Sequence, residues 1–357
     1  MTLIVNTDYP LAKWAVLNKS DVFKRSYFAC GVYQDRFLVV AGGFDKDFCQ
    51  LRSAAMYDVL KQSYITLPDL PHRCRSRGLV LNGYFYVAEQ YDSKLYRICL
   101  STRVTWEFVI EFKGDKIIDM VTDGKHIFLI NSTIQITRFN PITTEIAHFK
   151  RNNQAMKRCP FSAAFIDNKI YIIEGQSQYS STPKTYVFNI VTQLWSEGPH
   201  PPTPNSYFAT AVINRWIVVT GKNFDGNGYV ECNEIYDTHT HKWIESNAAI
   251  STPRQAHCCL QIGSHIITVG GVGPNVRDSP ITAIYIKHVI PDWIWTTLKP
   301  YLLLRKLLDD KRAAPINSTK KLKYTDGDMI LNADAVVQKL FTTMSLDMFR
   351  YALSFLV

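Results

Sequence analysis

The chain has 357 residues, of which 46% are hydrophobic, 13% aromatic and 20% charged, a balance that excludes general disorder and supplies a sizeable core. A formal net charge of +9 and a pI near 9.0 come from scattered rather than clustered basic residues, which disfavours nucleic acid and suits an acidic partner. The 8 cysteines include one adjacent pair, Cys258 and Cys259, but no C-x-x-C spacing, so they read as reduced thiols packed like small hydrophobes rather than as a disulfide scaffold or metal site.

In chain order, the opening MTLIVNTDYPLAKW has no basic segment followed by an apolar run, so a secretory leader is not expected there. No stretch approaches the roughly 18 apolar residues that a membrane span needs. The sequons at Asn18, Asn131 and Asn317 would matter only in a secreted protein, and a cytosolic or nuclear protein is expected. The interval from Trp14 to Arg25 repeats from Tyr64 to Arg75 and from Trp243 to Arg254. Residues 1–25 therefore read as an outer strand that closes the last of a series of repeats.

One apolar, β-branched and aromatic run then recurs six times: RFLVVAGG, GYFYVAEQ, KHIFLINS, NKIYIIEG, NRWIVVTG and SHIITVGG. Aligned on their last residues (Gly43, Gln90, Ser132, Gly175, Gly221 and Gly271), the copies stand 42 to 50 residues apart, the period of a four-stranded propeller blade. Upstream of most copies lies a small-residue segment (YFACGVY, FSAAFID, YFATAVI, HCCLQIG), read as an inner strand where blades converge and space is shortest. Downstream come an aromatic with Asp or Asn (Tyr57-Asp58, Phe139-Asn140, Phe188-Asn189, Tyr236-Asp237) and then a large outer-strand residue (Tyr64, Trp195, Trp243, with Trp106 and Trp293 in similar places). Asp or Asn there suits a turn closed by its own side chain.

These parts in fixed order resemble the kelch-repeat propeller family over roughly residues 10–300. The expected fold is an all-β, six-bladed kelch-type propeller with a short C-terminal α-helical extension. Its blades fall at about 26–71, 72–113, 114–151, 158–203, 204–250 and 251–300. Full Gly-Gly pairs stand only at Gly42-Gly43 and Gly270-Gly271, while blades two and three carry Glu89-Gln90 and Asn131-Ser132. Glycine there implies a left-handed turn, so Gln and Ser imply a different turn. Shorter loops in those two blades make the loop-bearing face lopsided. Beyond the ring, 301–310 reads as a helix packing on the propeller, 311–328 as a basic linker and 329–357 as a helical segment.

In the family, partner contacts come from one end of the propeller, from the loops between second and third strands and from residues just before the inner strand. The resemblance carries this to Arg25, Tyr27, Arg75, Arg77, Asn205, Tyr207, Arg254 and His257, with loop residues Phe44, Arg52, Tyr179, Phe224, Tyr229 and Arg277. Arg forks grip carboxylates and Tyr offers apolar area with a polar tip, so a protein or acidic peptide is the implied partner. The bland alternative for each repeated Arg is pairing with backbone or a neighbouring blade.

Two other readings stand beside a non-catalytic scaffold without cofactor or metal. MSLDMFRYALSFLV, Met344 to Val357, resembles the opening helix of an F-box and would make the chain a ubiquitin-ligase substrate adaptor, although Leu346, Phe349, Leu353 and Leu356 also fit a plain amphipathic helix. Kelch propellers include copper radical oxidases, but the close histidine pair His239 and His241 reads as a hairpin turn at the rim. An iron-binding Glu, Asp, His series is approached by Asn233, Asp237 and His241, with Asn in the Glu position. No phosphate loop, nucleophile elbow or zinc motif is present.

Overall fold

The computed structural model describes residues 20–112, 116–151, 160–175, 183–202, 206–224, 229–245, 254–262 and 265–272. All lie in the compact unit Tyr9–His288. The first sheet is an antiparallel meander of β1 (Ala29–Tyr33), β2 (Phe37–Ala41), β3 (Ala54–Asp58) and β4 (Ser63–Leu67). The second comprises β5 (Ser76–Leu81), β6 (Tyr84–Glu89), β7 (Lys94–Cys99) and β8 (Trp106–Glu111). The third comprises β9 (Ile117–Thr122), β10 (Ile127–Asn131), β11 (Ile136–Phe139) and β12 (Ile146–Phe149). In the fourth are β13 (Phe161–Ile166), β14 (Lys169–Glu174), β15 (Thr185–Asn189) and β16 (Trp195–Gly198). The fifth holds β17 (Ser206–Ile213), β18 (Trp216–Phe224), β19 (Tyr229–Asp237) and β20 (Lys242–Glu245). A two-stranded sheet follows, β21 (Cys258–Ile262) with β22 (His265–Val269).

Five four-stranded blades of a propeller are thus present, and each of the six recurring runs is the second strand of its sheet. These strands are apolar on both faces because both faces are buried. Val39 packs with Phe85 and Val87 of the second sheet, whereas its neighbours Leu38 and Val40 pack with Ile267 and Val269 of the two-stranded sheet. The same wedge of apolar side chains fills every seam between consecutive sheets. Each fully buried Val, Leu or Phe in these seams contributes about 1.5–3 kcal/mol. The inner strands meet in sequence, and β21 touches both β17 and β1. Their small residues have a steric cause: a Cβ on Gly31 would meet Val80 Cγ2 at 2.8 Å, and one on Gly78 would meet the Ala29 Cβ at 2.7 Å.

The repeated local signals resolve into specific contacts. Asp58, Asn140, Asn189 and Asp237 each accept, through Oδ1, the backbone N–H groups two and three residues onward, closing the turn between third and outer strands. Across that turn Tyr57 faces Tyr64, Phe188 faces Trp195 and Tyr236 faces Trp243. Trp106 Nε1 donates to Pro68 O at 2.8 Å and Trp243 Nε1 to Pro199 O at 3.0 Å, so these tryptophans tie each outer strand to the preceding blade.

Gly42, Gly43, Gly270 and Gly271 have φ of 66°, 88°, 66° and 93°, the left-handed turn that the glycine pairs imply. In blades two and three the left-handed residue moves to Ser93 and Ile134, inside connections of four residues, 90–93 and 132–135. Blade one has twelve residues, 42–53, at the same place. Blade five departs from the expectation of a long loop. There β18 and β19 extend to Phe224 and Tyr229, leaving 225–228 as the connection, so the extra residues prolong the hairpin. Trp14, Trp293 and the segments 301–310, 311–328 and 329–357 lie outside the described residues.

Candidate functional site: the mouth of the axial channel

The six inner strands surround a cavity of about 320 Å³, with Cys30, Gly78, Asp119, Ser162, Ala209 and Cys258 on its wall, one from each. At the end where the chain enters the inner strands, backbone hydrogen bonds link the sheets. Ser76 N donates to Tyr27 O at 3.2 Å, Tyr27 N to Ala256 O at 3.0 Å, and Ala256 N to Tyr207 O at 2.8 Å. Tyr27, Tyr207 and Ala256 occupy equivalent positions and adopt φ of 52°, 53° and 55°. That region is costly for bulky side chains, so the surrounding bonds hold strain at this rim.

The strained turn gathers four of the sequence-predicted residues. The Arg75 guanidinium carbon stands 3.8 Å from the Tyr27 ring centroid, and Tyr27 packs edge-on against Tyr207 at 5.7 Å and Phe44 at 6.1 Å. Tyr207 remains 43% exposed, so the aromatic group faces solvent on one side. Burial lowers the Arg75 pKa, and the like charge of Arg77 adds to this; Arg75 Nε is buried without a hydrogen-bond partner. Burial likewise raises the Tyr27 pKa, with the charge of Arg75 opposing.

Arg77 and His257 lie deeper. Arg77 Nε donates to Ile118 O at 2.9 Å and stands 3.8 Å from Asp119 Oδ1. Asp119 also accepts from Ala163 N and Ser162 Oγ, at 2.8 and 3.1 Å, and Ser162 Oγ lies 2.8 Å from Thr210 Oγ1. Burial raises the Asp119 pKa against the opposing pull of Arg77 and these hydrogen bonds. His257 Nε2 lies 2.8 Å from Thr220 Oγ1. Burial first, then the charges of Arg254 and Arg77, push its pKa down to about 3, so the ring stays neutral at pH 7.

Two of the predicted arginines belong to the frame. Arg25 is 7% exposed and donates to Val22 O at 2.7 Å, Gly42 O at 3.1 Å, Ser53 O at 2.9 Å and Ser53 Oγ at 3.2 Å. Arg254, 2% exposed, donates to Gly270 O at 3.1 Å. Both therefore hold the first carbonyl of a Gly-Gly turn, a contact made inside the blade and withheld from the surface. Arg52 is exposed and pairs with Asp69 at 3.2 Å. Phe224 and Tyr229 face each other at the tip of the β18–β19 hairpin. Tyr179, Asn205 and Arg277 lie outside the described residues.

Sequence reasoning missed Tyr91 and Lys116, whose ring and ammonium lie 4.3 Å apart, with Tyr91 near enough to Arg75 to oppose the lowering of its pKa by burial. It also missed Asp119, whose signal was an Asp inside the apolar run Ile117–Thr122. His239 and His241 lie in the turn before β20, with His241 Nδ1 3.1 Å from the Tyr236 hydroxyl. Among the described residues, no three His, Cys, Asp or Glu side chains are grouped to hold a metal ion.

Residues 157–202, which contain the fourth blade, match the Kelch motif family model. The chain carries a kelch motif. Among the kelch chain's relatives, an F-box/kelch-repeat protein of Arabidopsis thaliana is 35% identical over 84 residues, 23% of this chain and 24% of that one. The Arabidopsis F-box/kelch-repeat protein SKIP30 is 31% identical over 102 residues, 28% of each. The Rho GTPase-activating protein gacHH of Dictyostelium discoideum is 25% identical over 133 residues, 34% of this chain and 9% of that protein. The chain thus spans about a quarter or less of the length of these relatives. The solved structure of YjhT covers 78% of this kelch chain and 98% of its own, with a TM-score of 0.62 at 11% identity, a likeness of fold.

Proposed function

We propose that this kelch propeller is a non-catalytic interaction scaffold that takes an acidic segment of a partner protein at the mouth of its axial channel. The observation that carries the reading is the cluster of Arg75, Tyr27, Tyr207 and Phe44. It pairs a guanidinium lacking a partner at Nε with two tyrosine rings presented from left-handed backbone. Desolvated Arg and Tyr at the centre of a patch carry most of the energy in protein interfaces, and backbone strain concentrates at binding sites. The charges of Arg75 at the mouth and Arg77 below it exceed that of Asp119 and favour a carboxylate-bearing ligand.

The relatives named F-box/kelch-repeat proteins favour a second reading, in which the partner is a substrate delivered to a ubiquitin-ligase scaffold and residues 344–357 supply the scaffold contact. In either case we read β21–β22 as the inner half of a sixth blade, completed by the strand around Trp14, and place the protein in the cytosol or nucleus. The test is panning of an acidic-peptide library against wild type and against Arg75→Ala/Tyr207→Ala. Acidic sequences enriched by wild type and lost by the variant support the site. Enrichment that survives the substitutions refutes it.

A further inference from the structure

The seam between the first sheet and the two-stranded sheet carries a feature that partner binding does not use. Cys30, second residue of β1, and Cys258, first residue of β21, belong to inner strands that touch. Both pack into the same apolar cluster and both line the axial cavity. Cys258 Sγ reaches across the seam to donate to Phe28 O at 3.5 Å, beside the strand that holds Cys30. Each thiol lies within electrostatic reach of the other. Cys258 is partly exposed, whereas Cys30 is 4% exposed. Both are free thiols. The next residue, Cys259, belongs to the core of the opposite seam, with β17 and β18, because successive strand residues face opposite ways.

We propose that Cys30 and Cys258 are a redox modification site: peroxide converts them to a disulfide that staples the first sheet to the last. The partly exposed Cys258 is the sulfur that meets the oxidant in the cavity. Its thiolate attacks one peroxide oxygen, the O–O bond breaks, and the departing hydroxide takes up a proton to leave as water. The resulting Cys258 sulfenic acid is attacked by the sulfur of Cys30, and the S–O bond breaks with loss of a second water. Two thiols and one peroxide thus give one disulfide and two waters. Burial pushes the Cys30 thiol pKa up, which suits the slower, resolving role. The bridge joins positions 228 residues apart in sequence and closes the ring covalently, so it restricts the unfolded chain strongly.

The experiment treats the full-length native protein with hydrogen peroxide, alkylates free thiols under denaturing conditions, and maps the peptides by mass spectrometry without reduction. The expected product is a cross-linked pair containing Cys30 and Cys258, lighter by two hydrogen atoms and restored by dithiothreitol, with a raised Tm. Cys258→Ser abolishes it, while Cys259→Ala leaves it intact. Cys30→Ser repeats the first result where that variant folds. Treated wild type with Cys30 still fully alkylated, or with the bridge made to Cys259, overturns the proposal.

Discussion

Arg25 and Arg75 stand at the same sequence offset from a large aromatic, Trp14 and Tyr64, yet the structure gives them opposite duties, which a pair of methionine substitutions separates. Arg25→Met removes the donors to Val22 O, Gly42 O, Ser53 O and Ser53 Oγ. Ser53 O keeps the Gly42 N–H at 3.1 Å, so two buried carbonyls, Val22 and Gly42, lose their side-chain donor. At about 1–3 kcal/mol for each buried acceptor left unpaired, the expected loss is roughly 2–6 kcal/mol. Arg75→Met loses the stacking on Tyr27, worth about 0.5–1 kcal/mol at a partly exposed site, and Met retains much of the apolar contact. Urea unfolding followed by tryptophan fluorescence should therefore show a large fall in midpoint for Arg25→Met and a small one for Arg75→Met. Binding of the panned acidic peptide should be lost for Arg75→Met. An Arg25→Met protein as stable as wild type, or an Arg75→Met protein less stable than Arg25→Met, would refute the division of roles.

Three further variants test other contacts of the fold. The His257 pKa is lowered from 6.5 to about 3, so the unfolded chain binds a proton that the folded one refuses. Stability is complete above pH 6.5 and falls as pH drops toward 3. His257→Phe, which copies Phe28 and Phe208 at the equivalent positions, should remove up to about 2 kcal/mol of that loss by pH 5, read from denaturation at pH 7.5 and pH 5. Asp58, with a pKa lowered to about 2 chiefly by its Arg36 fork, contributes stability above pH 3.8 that is lost as pH falls through about 2. Asp58→Asn should keep the turn, as Asn140 and Asn189 do, while losing the Arg36-dependent part of that acid sensitivity in a pH-jump unfolding series. Gly271→Ala places a Cβ 2.7 Å from Gln255 O at φ +93° and should cost at least about 1–3 kcal/mol in calorimetry.

The fold was legible because each repeat carries several independent marks in register. The apolar run that recurs six times, the Asp or Asn that closes its own turn and the facing aromatic pair each answer to a local physical need. Blade five was misjudged because a count of residues between Gly221 and Tyr236 does not distinguish a loop from a longer hairpin. The site was legible in part. Position before an inner strand brought out Tyr27, Arg75 and Tyr207, but the same argument selected Arg25 and Arg254, whose guanidinium groups are consumed by glycine carbonyls. Sequence spacing fixes where an arginine sits on the blade and leaves open which way its side chain turns. Asp119 escaped because β9 lacks the small-residue signature that marked four of the inner strands. Tyr91 escaped because the blade-two connection, 90–93, lacks the glycine pair that marks the longer loops.

The central claim is that the partner sits on the end of the ring where Tyr27, Arg75 and Tyr207 meet. Hydrogen–deuterium exchange of the full chain with and without the panned acidic peptide tests it most directly. Protection of the segments around Tyr27, Arg75 and Tyr207, with the opposite-end turns at Leu60, Ile142 and Val191 unchanged, is the predicted result. Protection at those turns with the mouth unaffected would contradict it.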